Sequence, residues 1–296
     1  MNAVRVLFLW LMLAGYGKHV LLAQATRNPP SDYPIQPVET APLIAALKTQ
    51  IRSQKDVALE RFWREIEHNG TPVIERTKSD SHHVVVTFLL RGGRETQSVE
   101  LIAPLENVPR MPRLPLNRLQ GTNVWYGSWR MPDDLRFTYR LIPIGSAGNS
   151  QQLAVPDPLN LRNMTISFEG GTVPTTELAI ASMPNAPPEE WIAKQSTAPE
   201  GIVVKNVLNG GARFGQRTIW VYTPPGYDPK SPTSYPLVVL FDGFSFLHWM
   251  PTPTILNNLI HARKIPAFIA VLIDDPPNTR SSDLGYNAEF AEYVSK

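Results

Sequence analysis

Two short apolar runs restrict what this chain can fold into. Leu237 to Phe241 is unbroken and bounded by Pro236 and Asp242-Gly243, and Phe268 to Ile273 is a second such run, bounded by Pro266 and Asp274-Asp275. Runs that short and continuous fit strands buried on both faces. Between them Ile255, Leu256, Leu259 and Ile260 recur at helical spacing, and His261, Arg263 and Lys264 give a basic exit. Strand, helix and strand in that order form a βαβ unit with a parallel sheet. Ligands of such sheets bind outside the carboxyl ends of the strands. Asp242-Gly243-Phe244 and Asp274 to Arg280 are therefore the first candidates for chemistry.

The 296 residues are enough for two domains, and 43% hydrophobic with 18% charged residues marks a folded chain. A formal net charge of +2 gives no reason to expect nucleic acid or an anionic membrane as partner. The absence of cysteine excludes thiol catalysis, disulfides and cysteine-ligated metals. The 29 prolines are about twice the usual share of ~5% and point to loops, linkers and strand edges.

Residues 1–25 have Arg5 ahead of the apolar run Val6 to Ala14, and Ala23-Gln24-Ala25 as a small-residue cleavage site, although Lys18-His19 interrupts the apolar region. That layout predicts a cleavable export signal and hence a periplasmic or secreted protein with no membrane attachment after cleavage. Residues 26–41 form a proline-rich linker. Pro42 to Asn69 carries two apolar stripes, Leu43, Ile44, Leu47 and Ile51, then Leu59, Phe62, Trp63 and Ile66. They predict helix, stopped at Asn69-Gly70.

From Thr71 the period changes to two. Val84 to Leu90, Ser98 to Ile102, Asn123 to Arg130 and Phe137 to Ile142 are separated by Gly, Pro and Asn turns, which predicts a β-sandwich over 42–152 together with its leading helix. His82 and His83 point to opposite faces of a strand and have no evident third ligand, so no metal site is expected. Trp125 and Trp129 share one strand face, as sandwich core or as a platform for a ring. Residues 153–200 read as a proline-rich connector that packs along its neighbours, because its apolar side chains would otherwise be exposed.

Ile202 to Leu208 and Gln216 to Thr223 form a hairpin through Asn209-Gly210-Gly211. A hairpin followed by a βαβ unit is the start of an α/β-hydrolase sheet, in which the loop after the third strand helps build an oxyanion hole and a later G-x-S-x-G turn carries the nucleophile. The 296 residues contain no G-x-S-x-G, and no histidine follows His261. The triad order of nucleophile, acid and histidine cannot be completed, and the sequence stops inside a helix that begins near Asn287. Residues 201–296 thus read as a truncated hydrolase domain, with no catalytic residue present.

Val221-Tyr222-Thr223-Pro224, Tyr235 to Gly243, Met250-Pro251, Ile265-Pro266 with Val271 to Asp274, and Thr279 to Leu284 with Asn287 to Phe290 resemble the enterochelin esterase family. So do Val85 to Arg91, Gly121 to Trp125, Asp157 to Asn160 and Ser182-Met183-Pro184 upstream. The resemblance extends from about Phe62 to Lys296, and its N-terminal part is the more specific, since a generic serine esterase shares only the second domain.

The resemblance implies an α/β protein with an immunoglobulin-like (early-set) N-terminal sandwich followed by an incomplete α/β-hydrolase domain. It implies hydrolysis of ester bonds in a ferric catecholate siderophore through a serine acyl-enzyme. Gly243 and Phe244 would supply oxyanion amides. Asp242, Trp249 and Arg280 would bind substrate, with Asp283 replacing the usual Glu of the family's R-x-x-E-L run. No cofactor is implied, and iron enters only within the siderophore. Many family members are cytoplasmic, which stands against the export signal. Arg280 alternatively holds its loop through Asp274, Asp275 or Asp283, and Trp249 with His248 alternatively packs the loop. Two further readings are an esterase of the same fold acting on a feruloyl or acetyl ester, and a non-catalytic ligand-binding remnant. The 296-residue polypeptide is expected not to hydrolyse para-nitrophenyl esters; turnover that survives purification and is abolished by a serine-directed phosphonate would contradict this.

Overall fold

A computed structural model describes residues 35–77, 80–103, 113–145, 154–167, 175–232, 234–276 and 279–295. The expected export signal at 1–25 and most of the 26–41 linker lie outside these residues. The described chain divides into two compact units, one holding 35–165 with 176–188, the other holding 166–167, 175 and 189–295.

The first unit opens with strand β1 (Gln36–Pro37) and helix α1 (Pro42–Asn69). Pro42 stands at the start of the helix, where a missing N–H costs nothing. Gly70 ends the helix at φ 81°, a conformation that favours glycine. Non-helical angles at Gln54 mark a kink between the two apolar stripes. Eight strands follow: β2 (Val73–Thr77), β3 (Asp80–Arg91), β4 (Thr96–Ile102), β5 (Arg113–Arg118), β6 (Val124–Pro132), β7 (Arg136–Gly145), β8 (Asn163–Ile166) and β9 (Thr176–Ser182). Their order is β2-β3-β6-β5-β4-β7-β9-β8, with β1 added on β6.

Strand β3 is covered on both faces, which explains why Val84 to Leu90 is apolar at every position but Thr87. Val84, Val86, Phe88 and Leu90 join Trp125, Trp129, Phe137 and Tyr139 in one core. Val85 and Leu89 join Phe62, Trp63 and Ile66 of α1 in another. Trp125 and Trp129 are thus core residues and not a ring platform. Trp63 satisfies its indole N–H on Asn123 Oδ1 at 3.0 Å, as a buried tryptophan must.

Two stretches read as linker are built into this unit. Val38 N–H donates to Ser128 O at 2.9 Å, and Pro37 occupies a paired position that its lack of an N–H allows only at a sheet margin. Strands β8 and β9 lie inside the span read as connector, and the last division between units falls between 188 and 189. A buried polar node ties the connector down. Asp157 Oδ2 accepts from Thr71 Oγ1 and Tyr139 Oη, each at 2.7 Å, and Asn160 Nδ2 donates to Tyr139 Oη at 3.0 Å. Burial pushes the Asp157 carboxyl above its ordinary range and the Tyr139 phenol likewise.

The second unit holds β10 (Ile202–Asn209), α2 (Gly211–Phe214), β11 (Gln216–Thr223), β12 (Leu237–Phe241), α3 (Gly243–His248), α4 (Thr252–His261), β13 (Ile269–Ile273), α5 (Arg280–Leu284) and α6 (Ala288–Ser295). The sheet order is β10-β11-β13-β12, with β12 and β13 parallel and the other pairs antiparallel. One face, formed by Trp220, Tyr222, Val238, Leu240, Ala270 and Leu272, packs on Leu256 of α4 and Phe244 of α3. Asn257 Oδ1 accepts from Tyr222 Oη and from Gly201 N–H, both at 2.9 Å; burial pushes that phenol up to about 12.

The opposite face corrects the expectation that β12 is buried on both sides. β12 alternates, ends the sheet order, and leaves Leu237 43% exposed; Ile202 and Val204 on the same face are 65% and 51% exposed. Among the described residues this face is covered at its carboxyl end, where Phe290 of α6 lies 5.9 Å from the Phe241 ring. An isolated Gly201–Lys296 polypeptide is therefore expected to partition into the insoluble fraction on expression, since an apolar sheet face in water invites association. Recovery of that piece as a soluble, cooperatively unfolding species would contradict this.

Candidate functional site

The turn after β12 has little freedom. Asp242 sits at φ 58° and ψ 43°, a left-handed conformation uncommon for a residue with a side chain, though Asp tolerates it better than most. At Gly243 a Cβ would come within 2.8 Å of Leu272 C and 2.9 Å of Ile273 N, so no larger residue fits between this turn and the β13 backbone. Helix α3 starts there. Phe244 N–H, expected to serve an oxyanion, donates to Asp274 Oδ1 at 3.2 Å. The amide lies at the strand ends as anticipated, but a carboxylate already occupies it.

Arg280, the first residue of α5, reaches back across the two loops. Its Nε donates to Asp242 Oδ1 and its Nη2 donates to Asp242 Oδ2 at 2.8 Å, a bidentate pair on a guanidinium that remains 51% exposed. The chain therefore brings together Asp242, Gly243, Phe244 and Arg280. The loop-holding alternative, in which Arg280 pairs with Asp274, Asp275 or Asp283, is replaced by a pair with Asp242.

Asp283 is held instead by Arg217 of β11, which sequence reasoning missed. Arg217 Nη2 donates to Asp283 Oδ2 and Nη1 to Asp275 Oδ1 at 3.4 Å, while the guanidinium lies 4.6 Å from the Phe290 ring centroid. Its side chain is only 1% exposed. Arg217 Nε and Asp275 Oδ2 are buried without a partner among the described residues. A signal existed: strand alternation puts Arg217 on the same face as Ile219 and Val221, and a charge on an apolar face demands an anion.

The electrostatics follow. Asp242, Asp274, Asp275 and Asp283 face two guanidiniums. Desolvation raises the Asp283 carboxyl, but hydrogen bonds from Arg217, Thr279 and Ser282 outweigh it and leave its pKa lowered. Burial, with the neighbouring Asp242 charge, pushes the Asp275 carboxyl up. Asp275 is thus a weaker acid than an ordinary aspartate, and Asp283 a stronger one.

Trp249 caps α3 and donates its indole N–H to Ser167 O at 2.6 Å. Its neighbour His248 lies 4.2 Å from Phe244 and 6.1 Å from Trp220, ring centre to ring centre. Both therefore take part in packing the loop. His83 Nδ1 stands 3.1 Å from Asp80 Oδ1, and hydrogen bonds from Arg130 and then His83 hold the Asp80 carboxyl well below the usual range. Among the described residues no three acidic or histidine side chains converge to hold a metal ion.

Replacing Arg217 with Met should cost about 3–5 kcal/mol at neutral pH, because the buried Asp283 carboxylate loses its guanidinium partner and keeps only the neutral donors Thr279 and Ser282. The sign of the pH dependence follows from the lowered Asp283 pKa: the stability from its pair is present above about pH 4 and lost as pH falls through the folded-state value. The gap between wild type and Arg217→Met should therefore narrow on acidification, as read from urea midpoints at successive pH values. A gap constant from pH 7 to 3 would rule out this account.

Residues 85–192 match the family model described as enterochelin esterase, N-terminal. The iron(III) enterobactin esterase of Escherichia coli (strain K12) is 30% identical over 195 residues, covering 59% of this chain and 46% of that protein. That of Dickeya dadantii is 29% identical over 265 residues, covering 78% of this chain and 58% of the relative. The chain thus spans about half the length of these relatives. Among solved structures, the enterobactin esterase from Shigella flexneri in the presence of enterobactin shares the fold with a TM-score of 0.55 at 22% identity, over 80% of this chain and 62–63% of the neighbours from that organism. Family model, curated relatives and solved fold agree with the motifs in the sequence: the chain resembles the enterochelin esterases.

Proposed function

We propose that this chain forms the substrate-facing loops of a carboxylic ester hydrolase of the enterochelin esterase type, which opens the ester bonds of a ferric catecholate siderophore and so frees its iron. The observation that carries the reading is the union of two features. Residues 85–192, most of them in the N-terminal unit, match the family model, and the second unit gathers Asp242, Gly243, Phe244 and Arg280 at the carboxyl ends of parallel strands. In this reading the first unit is an immunoglobulin-like early-set sandwich and the second is the front of an α/β-hydrolase sheet, whose hairpin and parallel pair support the assignment. The protein acts in the periplasm, exported by its first 25 residues, and takes a small-molecule ligand. It uses no cofactor of its own.

Acyl transfer places negative charge on the former carbonyl oxygen, and fixed N–H donors at that point lower the barrier. Gly243 and Phe244 are those donors. The Phe244 amide holds the Asp274 carboxylate at a long 3.2 Å, so an oxyanion arriving there exchanges one anion for another. Arg280 is the group that meets the anionic catecholate complex. It does so against the pull of Asp242, which sets a clear pair of opposite expectations. Arg280→Ala should weaken binding of ferric enterobactin, read by quenching of tryptophan fluorescence, by about tenfold, a typical value for one lost charged contact. Asp242→Asn should strengthen it by releasing the guanidinium. Should both variants bind as wild type does, Arg280 serves only to hold its loop and the siderophore reading of this site fails.

A further inference from the structure

We propose that the N-terminal unit carries a second site, a recess for a small polyanion bearing two or more phosphate or carboxylate groups. Its volume of ≈ 620 Å³ lies in the range of small-molecule pockets. Lys55 on α1 forms one wall with Asp56 and Glu60. Arg91 at the end of β3, Arg94 in the turn that follows and Arg118 at the end of β5 form the other. All belong to the first unit, and the proposal does not rest on the esterase reading.

Three features separate this recess from an ordinary solvated surface. First, two of its arginines are already placed. The Arg91 guanidinium lies 5.6 Å from the Trp63 ring and is paired with Glu67 at 3.1 Å. The Arg118 guanidinium lies 5.8 Å from the Trp125 ring, and its Nε donates to Thr122 O at 3.0 Å. Cations held on buried rings have lost their rotamer freedom before a ligand arrives, which lowers the entropic cost of binding. Second, the opposite wall closes toward them. Lys55 Nζ lies 3.7 Å from where a Cβ of Gly121 would stand, and Gly121 itself has φ +70°, so the ammonium is carried to the turn that follows Arg118.

Third, the positive charge is not cancelled within the site. Among the described residues Lys55, Arg94 and Arg118 have no ion-pair partner, and with Arg91 answered by Glu67 these three basic groups still outnumber Asp56 and Glu60. A ligand with two or more anionic groups spans from Lys55 to Arg94 and Arg118, and bidentate guanidinium geometry suits phosphate or carboxylate equally.

The test is isothermal titration of the full chain with tripolyphosphate and, separately, citrate at low ionic strength. Expected is saturable one-to-one binding of at least one of them, weakened tenfold or more in the double variant Lys55→Ala/Arg94→Ala. Both side chains are exposed, so the variant should melt where wild type does. Lys230→Ala, a surface cation of the second unit, should leave the affinity unchanged. The proposal is overturned if neither anion binds saturably, if the double variant binds as wild type does, or if Lys230→Ala weakens binding equally, since the attraction would then be one of net charge.

Discussion

A guanidinium cannot be taken out of water without anions around it, and Arg217, on a strand and almost fully enclosed, dictates what surrounds it. Asp283 and Asp275 come from the segment after β13, and Phe290 from α6. One side chain thereby fixes where the chain returns after its last strand and where α5 begins. Arg280 is the first residue of α5, so its reach to Asp242 is a consequence of the buried charge beneath it. The exposed pair at the surface would contribute little alone; its geometry is inherited from the enclosed one.

The first unit solves a related problem without a cation. Asp157 is enclosed, and its carboxylate is met by the hydroxyls of Thr71 and Tyr139 and by the Leu159 amide at 3.0 Å. Neutral donors answer the hydrogen-bonding need but not the charge, and the raised carboxyl pKa reflects that. The two nodes respond to acid in opposite senses. The Arg217 pair loses its contribution as pH falls, while Asp157 becomes less costly.

Much of this architecture was legible from period alone. Helix α1, strands β3, β4, β6 and β7, the β10–β11 hairpin and the βαβ crossing all lie where apolar spacing and Gly or Pro boundaries placed them. What escaped did so for identifiable reasons. In β9 the buried positions are Ala179 and Ala181, while the bulkier Leu178 and Ile180 are only partly covered, so the apolar pattern points the wrong way and the strand looks like connector. The docking of Ile35 and Val38 is masked by the prolines around them. At the candidate site, the turn and Arg280 were visible because both fall at strand ends. The Arg217–Asp283 pair was not, because 66 residues separate its members and no local spacing links them. The occupation of the Phe244 amide by Asp274 was likewise invisible, since it depends on how two loops meet.

Position 242 has to satisfy two demands of different origin. Its backbone must accept a left-handed turn, and its side chain must present two oxygens to Arg280. Glycine meets only the first, glutamate only the second, and asparagine the first with half of the second. Sequence drift at this loop is therefore channelled. A descendant that loses Arg280 frees position 242 to become glycine, whereas one that loses Asp242 first leaves an unanswered cation at the strand ends. The two demands meet at one position although the partners lie 38 apart in the chain.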